Sequence, residues 1–333
     1  PLSPAIRDCT MLILFFFACS IIGGLSGAPA DPTDATEILV EVPKGATPRS
    51  LGPVLEEAHA IDDAQAFSWY VRIHKEGACI KAGKHAVSRA MNHSAIIEAL
   101  CGVPFVDTIP FTVLEGWRIR EIDQALARAG HTQAGEYAAL AKTPSAFKTA
   151  YPLPSKSLEG YLYPETYAIE PGNFDTRRFI QRQLDMFHTR FVAKHPDGFS
   201  KRSLAEVVIM ASMIVREEPT EAQRPTIAGI LWKRIDNSWN LGVDATSRYT
   251  LPKWNDRRAF LKKLRDPSDR YNTRLRSGLP PTAIGNPDLS SLEAAAAPVS
   301  SPYWYYLHDS KGVLHPARSV AEHEAFRRKY NVY

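Results

Sequence analysis

This 333-residue chain lacks a strong charge of either sign: 40 Lys and Arg residues are balanced by 36 Asp and Glu residues, a formal net charge of +4. Nucleic-acid binding depends on clustered basic side chains, so we predict no nucleic-acid partner. The G-x-x-x-x-G-K-[ST], G-x-G-x-x-G and H-E-x-x-H patterns are also missing, which leaves nucleotide use and zinc proteolysis without support. With only 19 Gly and 25 Pro residues, collagen-like and low-complexity chains are excluded as well.

What remains is the composition of an ordinary folded protein. Hydrophobic residues make up 44% of the chain and charged residues 23%, which excludes a mainly disordered protein. The length suits about two domains of roughly 100–200 residues each. The 10 histidines are scattered, and the 4 cysteines follow no metal-ligand spacing. We therefore predict no metal and no cofactor.

An uncharged apolar stretch occupies the amino-terminal part of the chain, from residue 9 to residue 30. It is long enough to cross a bilayer, which takes about 20 mostly apolar residues. A cleaved signal peptide is the alternative, because Ala28-Pro29-Ala30 has the small-x-small form of a cleavage site. We favour an uncleaved anchor, since the apolar core is long for a signal peptide. The prediction is a cytoplasmic tail at 1–10, a transmembrane anchor at 11–30 and a linker at 31–36, with the rest outside the cytoplasm.

Two cysteines, Cys79 and Cys101, follow this stretch. Outside the cytoplasm they are free to form a disulfide. Two buried free thiols are the alternative, and the sequence leaves both interpretations open.

Local patterns predict a mixture of strands and helices. β-branched and apolar runs bounded by Gly or Pro predict strands, and apolar residues at helical spacing predict amphipathic helices. The aromatic run that begins at Tyr303 is predicted to be a buried strand. The other predicted strands are 37–42, 79–83 and 111–113, and the predicted helices are 50–59, 67–73, 95–100 and 117–129.

The strongest chemical signal lies at the end of a predicted buried helix. Ser203 and Glu206 form a capping box at its start, residues 207–215 are apolar on almost every face, and Pro219 ends it. Glu217 continues the apolar face, at roughly 100° per residue. Burial and the negative helix end both raise the pKa of a carboxyl group, and an acid that is protonated near neutral pH suits general acid catalysis. The alternative is a core helix whose terminal glutamates are solvated.

Three further clusters combine polar and aromatic residues. Residues 158–167 hold three tyrosines and two glutamates, a combination that suits sugar rings with their apolar faces and hydroxyl edges. An aromatic core strand with solvated glutamates is the alternative. Residues 241–249 form the second of these clusters. Residues 271–287 form the third and combine Asn, Thr and Arg with prolines and glycines, which indicates a shaped loop able to bind hydroxyls or a carboxylate. Ordinary turns are the alternative there.

Taken in order, these blocks resemble those of the endolytic murein transglycosylase (YceG-like) family. Residues 158–167 are similar to its L-E-G-[aromatic]-L-[aromatic]-P-[DE]-T-Y block, and residues 211–217 to its A-S-I-[IV]-E-[KR]-E block. Residues 241–246 resemble L-x-x-D-P-T, and residues 271–281 resemble Y-N-T-Y…G-L-P-P. The positions that depart from the family pattern in these blocks are Val215, Ala245 and Arg274.

The resemblance implies an α+β protein with an N-terminal transmembrane helix. Beyond the linker it implies a small LysM-like domain at 37–108, a helical connector at 109–150 and an α+β transglycosylase catalytic domain at 151–333. The implied location is the bacterial cytoplasmic (inner) membrane, with a single pass and the catalytic domain on the periplasmic side. The implied partners are peptidoglycan glycan strands, the membrane through the anchor, and cell-wall synthesis proteins.

The resemblance also implies a chemistry and a set of site residues. An endolytic lytic transglycosylase cuts the β-1,4 bond from N-acetylmuramic acid (MurNAc) to N-acetylglucosamine (GlcNAc) within nascent strands and leaves 1,6-anhydro-MurNAc ends. Glu217 is the implied single general acid and base. We expect the residues that stack on sugar rings, bind hydroxyls or orient Glu217 to be Glu159, Tyr161, Tyr163, Glu165, Asp244, Thr246, Tyr271, Asn272 and Thr273.

Two other functions stay open. The departures at Val215 and Arg274 suggest a catalytically degenerate protein that binds peptidoglycan or acts as a cell-wall scaffold. A hydrolase, in which Glu217 is paired with a second carboxylate, is the third hypothesis.

Overall fold

The computed structural model describes residues 27–332, which divide into two units, one up to Asp107 and one from Thr108. Each unit has its own hydrophobic core. The predicted cytoplasmic tail and residues 11–26 of the predicted anchor lie outside the described residues. Between residues 27 and 332, every helix is too short or too polar to cross a bilayer.

The described part of the amino-terminal unit combines a strand pair with helices. Its elements are β1 (Ile38–Val42), α1 (Pro48–Glu57), α2 (Ala64–His74), β2 (Gly83–Val87) and α3 (His93–Cys101). The strands pair antiparallel, with Ile38 opposite Val87 and Val42 opposite Gly83. Alternation along β1 buries Val40 and Val42 against the apolar faces of the helices. The strand predicted at 37–42 and the three helices predicted in this unit are confirmed. The strand predicted at 79–83 is wrong.

A disulfide occupies that position instead. Cys79 is bonded to Cys101 at the end of α3, with the two Cα atoms 5.0 Å apart. The loop that contains Cys79 is also fastened by a hydrogen bond from Lys81 N to Leu100 O, 3.0 Å long. The strand therefore starts only at Gly83. The structure therefore contains the disulfide, and the alternative of two buried free thiols is wrong.

The carboxy-terminal unit mixes strand pairs with helices around one core, so the chain has the predicted mixed α+β fold. β3 pairs antiparallel with β4, and β5 pairs antiparallel with β6. The elements in chain order are β3 (Ile109–Thr112), α4 (Ile119–Arg128), α5 (Glu136–Ala141), β4 (Thr166–Ile169), α6 (Thr176–Arg190), α7 (Leu204–Glu217), α8 (Arg224–Asp236), α9 (Asp244–Tyr249), α10 (Arg257–Lys263), α11 (Leu289–Ala296), β5 (Tyr305–His308), β6 (Leu314–Ala317) and α12 (Val320–Tyr330).

The predicted connector, 109–150, shares the core of the residues that follow it. Ile122, Leu126 and Tyr137 are fully buried among side chains of α6 and α7 in a single cluster. Residues 108–332 therefore form one unit, within which 109–150 is part of the packing.

Helix α7 has the boundaries that its sequence predicts. Ser203 Oγ accepts a hydrogen bond from Glu206 N at 3.2 Å, and the Glu206 carboxylate accepts one from Ser203 N at 2.8 Å, which is the predicted capping box. Pro219 restricts Glu218 to extended backbone, with φ −130° and ψ 104°. The helix consequently ends at Glu217, beyond a run of fully buried apolar residues.

Residues 158–167 and 271–287, two of the sequence blocks, are hydrogen-bonded to each other next to α7. Gly160 has φ +93°, and a Cβ atom there would lie 2.5 Å from Ala283 Cβ and 2.6 Å from Val208 Cγ1. Both the conformation and the close approach require glycine. The buried Asn286 Oδ1 accepts from Gly160 N at 2.9 Å and from Leu162 N at 3.0 Å. The tyrosine-rich segment is thereby fixed inside the core.

Candidate active site

Glu217 lies in the wall of an open cleft of about 620 Å³ in the carboxy-terminal unit. The carboxyl group is half-buried, and the neighbouring Glu218 is fully buried. The alternative of a solvated helix end is therefore wrong. The cleft lining includes Glu217, Trp239, Asp244, Arg274, Tyr306 and His308.

A tyrosine hydroxyl holds one oxygen of Glu217. Tyr306 O–H donates to Glu217 Oε2 at 3.0 Å. The tyrosine belongs to β5, where pairing with β6 places it opposite Pro316. The Arg234 guanidinium lies 5.7 Å from the centre of the Tyr306 ring. Strand pairing and this contact therefore fix the hydroxyl that orients the glutamate.

The surroundings of Glu217 favour its protonated form. Burial is the largest cause and raises the pKa of Glu217 above the usual 4.5. The hydrogen bond from Tyr306 and the charge of His308 lower this pKa in part, and the Asp244 charge raises it further. The net direction is upward, as the sequence predicts. Such a carboxyl group can donate a proton to a bound substrate and then act as a base.

Asp244 is the second carboxylate of the cleft, and Arg274 binds it. Arg274 Nε donates to Asp244 Oδ1 at 2.7 Å, and a terminal nitrogen lies 2.6 Å from the same oxygen. Arg274 stands where the family pattern has Tyr. Arg274, a departure from the family pattern, therefore lies in the cleft lining and holds Asp244 in position.

Three other predicted residues support the loops that present this ion pair. Thr246, Asn272 and Thr273 are buried. Thr273 Oγ1 accepts from Val243 N at 3.0 Å and lies 3.0 Å from Thr246 Oγ1. Asn272 Oδ1 accepts from Arg274 N at 3.1 Å. These three side chains bond to other protein atoms and are not part of the cleft lining. They therefore support the loops that carry Asp244 and Arg274.

Glu159 and Tyr271 belong to a separate group around Tyr249, in which Glu159 is buried and the two tyrosines are partly buried. Glu159 accepts hydrogen bonds from Ile119 N at 3.0 Å and from Tyr249 O–H at 3.1 Å, and is 4% exposed. Burial raises its pKa to about 7. Tyr271 packs on Tyr249 with ring centres 4.9 Å apart and shares a 2.8 Å hydrogen bond with Thr282.

The remaining predicted residues also make structural contacts. Tyr161 packs against Phe187 with ring centres 5.4 Å apart, and Tyr163 is buried. Glu165 forms an ion pair with Arg190 at 3.2 Å. Of the predicted set, the structure thus brings Glu217 and Asp244 together in the cleft lining.

Sequence reasoning missed the residues that β5 contributes. All four residues of β5 line the cleft, and Tyr306 and His308 are the two whose side chains contact the glutamates at the end of α7. His308 Nε2 lies 2.9 Å from Glu218 Oε2, and Glu218 Oε1 accepts from Thr220 N at 2.8 Å. The aromatic run predicted a buried strand, so its residues were not expected to line a cleft.

Known proteins resemble the chain over most of its length. The sequence pattern of the YceG-like family matches residues 40–329. The endolytic murein transglycosylase of Bacillus subtilis (strain 168) is 27% identical to this chain, over 91% of the chain and 87% of that protein. One from Streptococcus pneumoniae is 22% identical, over 96% of the chain and 64% of that protein.

A solved structure agrees with these matches. The crystal structure of a YceG-like protein from Listeria monocytogenes superposes with a TM-score of 0.58 and 26% identity, covering 87% of this chain and 98% of that one. Each of these matches covers most of the chain. This protein belongs to the YceG-like family.

Proposed function

We propose that this chain is a lytic transglycosylase that cuts peptidoglycan strands internally, with Glu217 as its single acid and base. The observation that carries the proposal is a half-buried glutamate with a raised pKa in the wall of an open cleft. Family membership and the names of the curated relatives support the same reaction class.

The reaction follows from what one carboxyl group can do. Glu217 protonates the glycosidic oxygen that leaves with GlcNAc, and the bond to the MurNAc anomeric carbon breaks. The C6 hydroxyl of the same MurNAc attacks that carbon, and the Glu217 carboxylate takes its proton. The product is a 1,6-anhydro-MurNAc end. Because the nucleophile is tethered to the reacting sugar, positioning supplies much of the rate.

The state of Asp244 supports a one-acid mechanism over hydrolysis. Ordinary glycosidases use a second carboxylate, about 5–5.5 Å from the first when retaining and about 6.5–9.5 Å when inverting. Here the candidate second carboxylate is bound by the Arg274 guanidinium. We assign Asp244 to orienting the substrate, and Thr246, Asn272 and Thr273 to supporting the cleft.

The same proposal includes the location of the protein. The apolar stretch at residues 9–30 is assigned as a membrane anchor, with the cleft outside the cytoplasm and cell-wall synthesis proteins as neighbours. The Cys79–Cys101 disulfide favours an oxidising compartment.

Digestion of purified peptidoglycan, analysed by mass spectrometry, tests the mechanism. We expect anhydro-ended fragments from the unaltered chain and a rate at least about 100-fold lower for Glu217→Gln. Glu221→Gln is the matched control, because it makes the same change at an exposed residue four positions away. Equal activity of Glu217→Gln and the unaltered chain would exclude the assigned role.

The products also separate the other hypotheses. Reducing ends in place of anhydro ends would identify a hydrolase. Tight binding of glycan without any product over long incubation would identify the degenerate binding protein, for which the Arg274–Asp244 ion pair in the cleft is the supporting observation.

A further inference from the structure

Helix α2 of the amino-terminal unit has an apolar face that lies outside the core of that unit. Trp69 is 54% exposed, and Ile73, about one turn further along the helix, is 61% exposed. The Arg72 guanidinium lies 5.6 Å from the centre of the Trp69 ring. Single exposed apolar side chains are common on proteins, whereas neighbouring ones form a patch that suits a partner.

The end of the predicted anchor packs beside this face. Gly27 has φ +71°, and a Cβ atom there would lie 2.5 Å from Tyr70 Cε2. Gly27 O also accepts a hydrogen bond from His93 N at 2.9 Å. The Cα atoms of Trp69 and Ile73 lie within about 6 Å of the Tyr70 Cα atom, because all three residues belong to one stretch of helix. The apolar stretch therefore reaches the unit next to the exposed pair.

The predicted linker leaves little slack between the anchor and the unit. Asp31 N donates to Arg89 O at 3.0 Å, and Ala90 N donates to Asp34 O at 2.8 Å. Residues 27–34 are thus fastened to the amino-terminal unit at several points along their length. A chain that leaves the bilayer at this point holds α2 close to the lipid headgroups.

The side chains of the exposed face suit a lipid surface. Trp69, Arg72 and Ile73 lie within about 100° of one another around the helix, at roughly 100° per residue. Tryptophan is enriched where headgroups meet acyl chains, because its ring is apolar and its N–H seeks a polar partner. Arginine lays its stem along apolar neighbours and places its guanidinium among anionic phosphates. Isoleucine is stabilised by contact with acyl chains.

We propose that the α2 face formed by Trp69, Arg72 and Ile73 lies on the phospholipid bilayer, with the indole at the boundary between headgroups and acyl chains. This inference rests on the proposed function, which takes residues 9–30 as a membrane anchor. The contact fixes the orientation of the amino-terminal unit at the membrane surface, which the anchor alone does not do.

Quenching of tryptophan fluorescence by brominated lipids tests the contact, because bromine quenches the indoles that reach it. The full chain is reconstituted into vesicles made of equal parts of phosphatidylcholine and phosphatidylglycerol. Their acyl chains are unbrominated, brominated near the headgroup end or brominated near the methyl end. Trp69→Phe removes the reporter and keeps an apolar ring. Trp239→Phe is the matched control, because Trp239 is also an exposed tryptophan, at 39%, in the carboxy-terminal unit.

We expect bromine near the headgroup end to lower the emission of the unaltered chain by up to about one sixth, the share of one tryptophan in six. Bromine near the methyl end should lower it less. Trp69→Phe should abolish this loss, and Trp239→Phe should preserve it. Ile73→Glu puts a charge on the face and should reduce the loss at least about twofold. Leu261→Glu, the same kind of change at an exposed residue of the other unit, should leave it unchanged.

Two results would overturn the membrane contact: a loss of emission that persists in Trp69→Phe, and an absence of quenching in vesicles that carry the chain. Flotation of the same vesicles tests the proposed location separately. A chain that floats without quenching has the anchor and lacks the contact, and a chain that does not float has neither. Anhydro products from digested peptidoglycan report on the proposed reaction independently of both measurements.

Discussion

Two segments of the carboxy-terminal unit bring tyrosines into contact with glutamates, and they have opposite surroundings. In residues 158–167 the tyrosines and Glu159 are buried: Glu159 accepts hydrogen bonds from Ile119 and Tyr249, and Tyr161 is packed among aromatic rings. In β5, Tyr306 faces an open cleft and donates to Glu217. Similar residue types therefore stabilise the fold in one place and line a candidate active site in the other.

The difference lies in what surrounds each carboxyl group. Glu159 and Glu217 both have raised pKa values, and burial is the largest cause for each. Glu159 has its oxygens occupied by a backbone amide and a phenol, in the interior. Glu217 is half-buried and lines a space large enough for a ligand. A perturbed pKa marks a candidate acid only where a substrate can reach it.

The largest expected effect is on stability: Glu159 should make the free energy of unfolding depend on pH. Its pKa is about 7 in the folded chain against 4.5 for the usual glutamate. The folded state holds this proton more tightly, so the contribution to the free energy of unfolding is complete below pH 4.5 and is lost as the pH rises through 7. The loss is on the order of 3 kcal/mol, and Glu159→Gln should remove it.

Urea unfolding at pH 5 and pH 8, followed by tryptophan fluorescence, measures this effect. All tryptophans except Trp69 belong to the carboxy-terminal unit, so the signal reports mainly on that unit. Glu165→Gln is the matched control in the same segment, because Glu165 is only half-buried and is paired with Arg190. If Glu159→Gln and Glu165→Gln have the same pH dependence, Glu159 is not the titrating group.

A smaller effect is expected from Tyr306→Phe, and it concerns activity. The Tyr306 hydrogen bond lowers the pKa of Glu217, so its loss should raise that pKa. The protonated acid then persists to higher pH, and the alkaline limb of the pH–rate profile moves upward. We also expect kcat to fall about tenfold, because the carboxylate formed after proton transfer loses a hydrogen bond of about 1.4 kcal/mol.

The control for this variant is Tyr303→Phe, two residues before β5. The Tyr303 ring contacts the Arg318 guanidinium at 5.8 Å, and its hydroxyl has no part in the proposed reaction. Its pH profile should match that of the unaltered chain. An alkaline limb that stays in place in Tyr306→Phe would show that the hydroxyl does not tune Glu217.

The predictable features were those whose causes lie close together in sequence. Ser203, Glu206 and Pro219 set both ends of α7, and the helical period then placed Glu217 on the buried side. Each of these signals acts within one or two turns of helix. The candidate acid could therefore be identified from a short stretch of residues.

The unpredictable features depend on contacts between distant residues. Asn286 accepts a hydrogen bond from Gly160, 126 positions away in the sequence, and holds residues 158–167 in the core. The sequence therefore could not show that the tyrosines of this segment and Glu159 are buried. The disulfide to Cys101 displaced the strand predicted near Cys79. Trp239 follows a left-handed Ser238, whereas the neighbouring Asn237, a residue type that favours this conformation, has φ −107°.

The smallest expected effect repeats the tyrosine-to-phenylalanine change in the enclosed segment. Tyr167 O–H donates to Tyr163 O at 2.7 Å in the core, so Tyr167→Phe should lower the free energy of unfolding by about 1 kcal/mol. Urea unfolding measures that loss, and the pH–rate profile should be unchanged, because the lost bond is within the fold. If Tyr167→Phe instead moves the alkaline limb as Tyr306→Phe does, the enclosed segment is coupled to Glu217 and the two segments do not have separate roles.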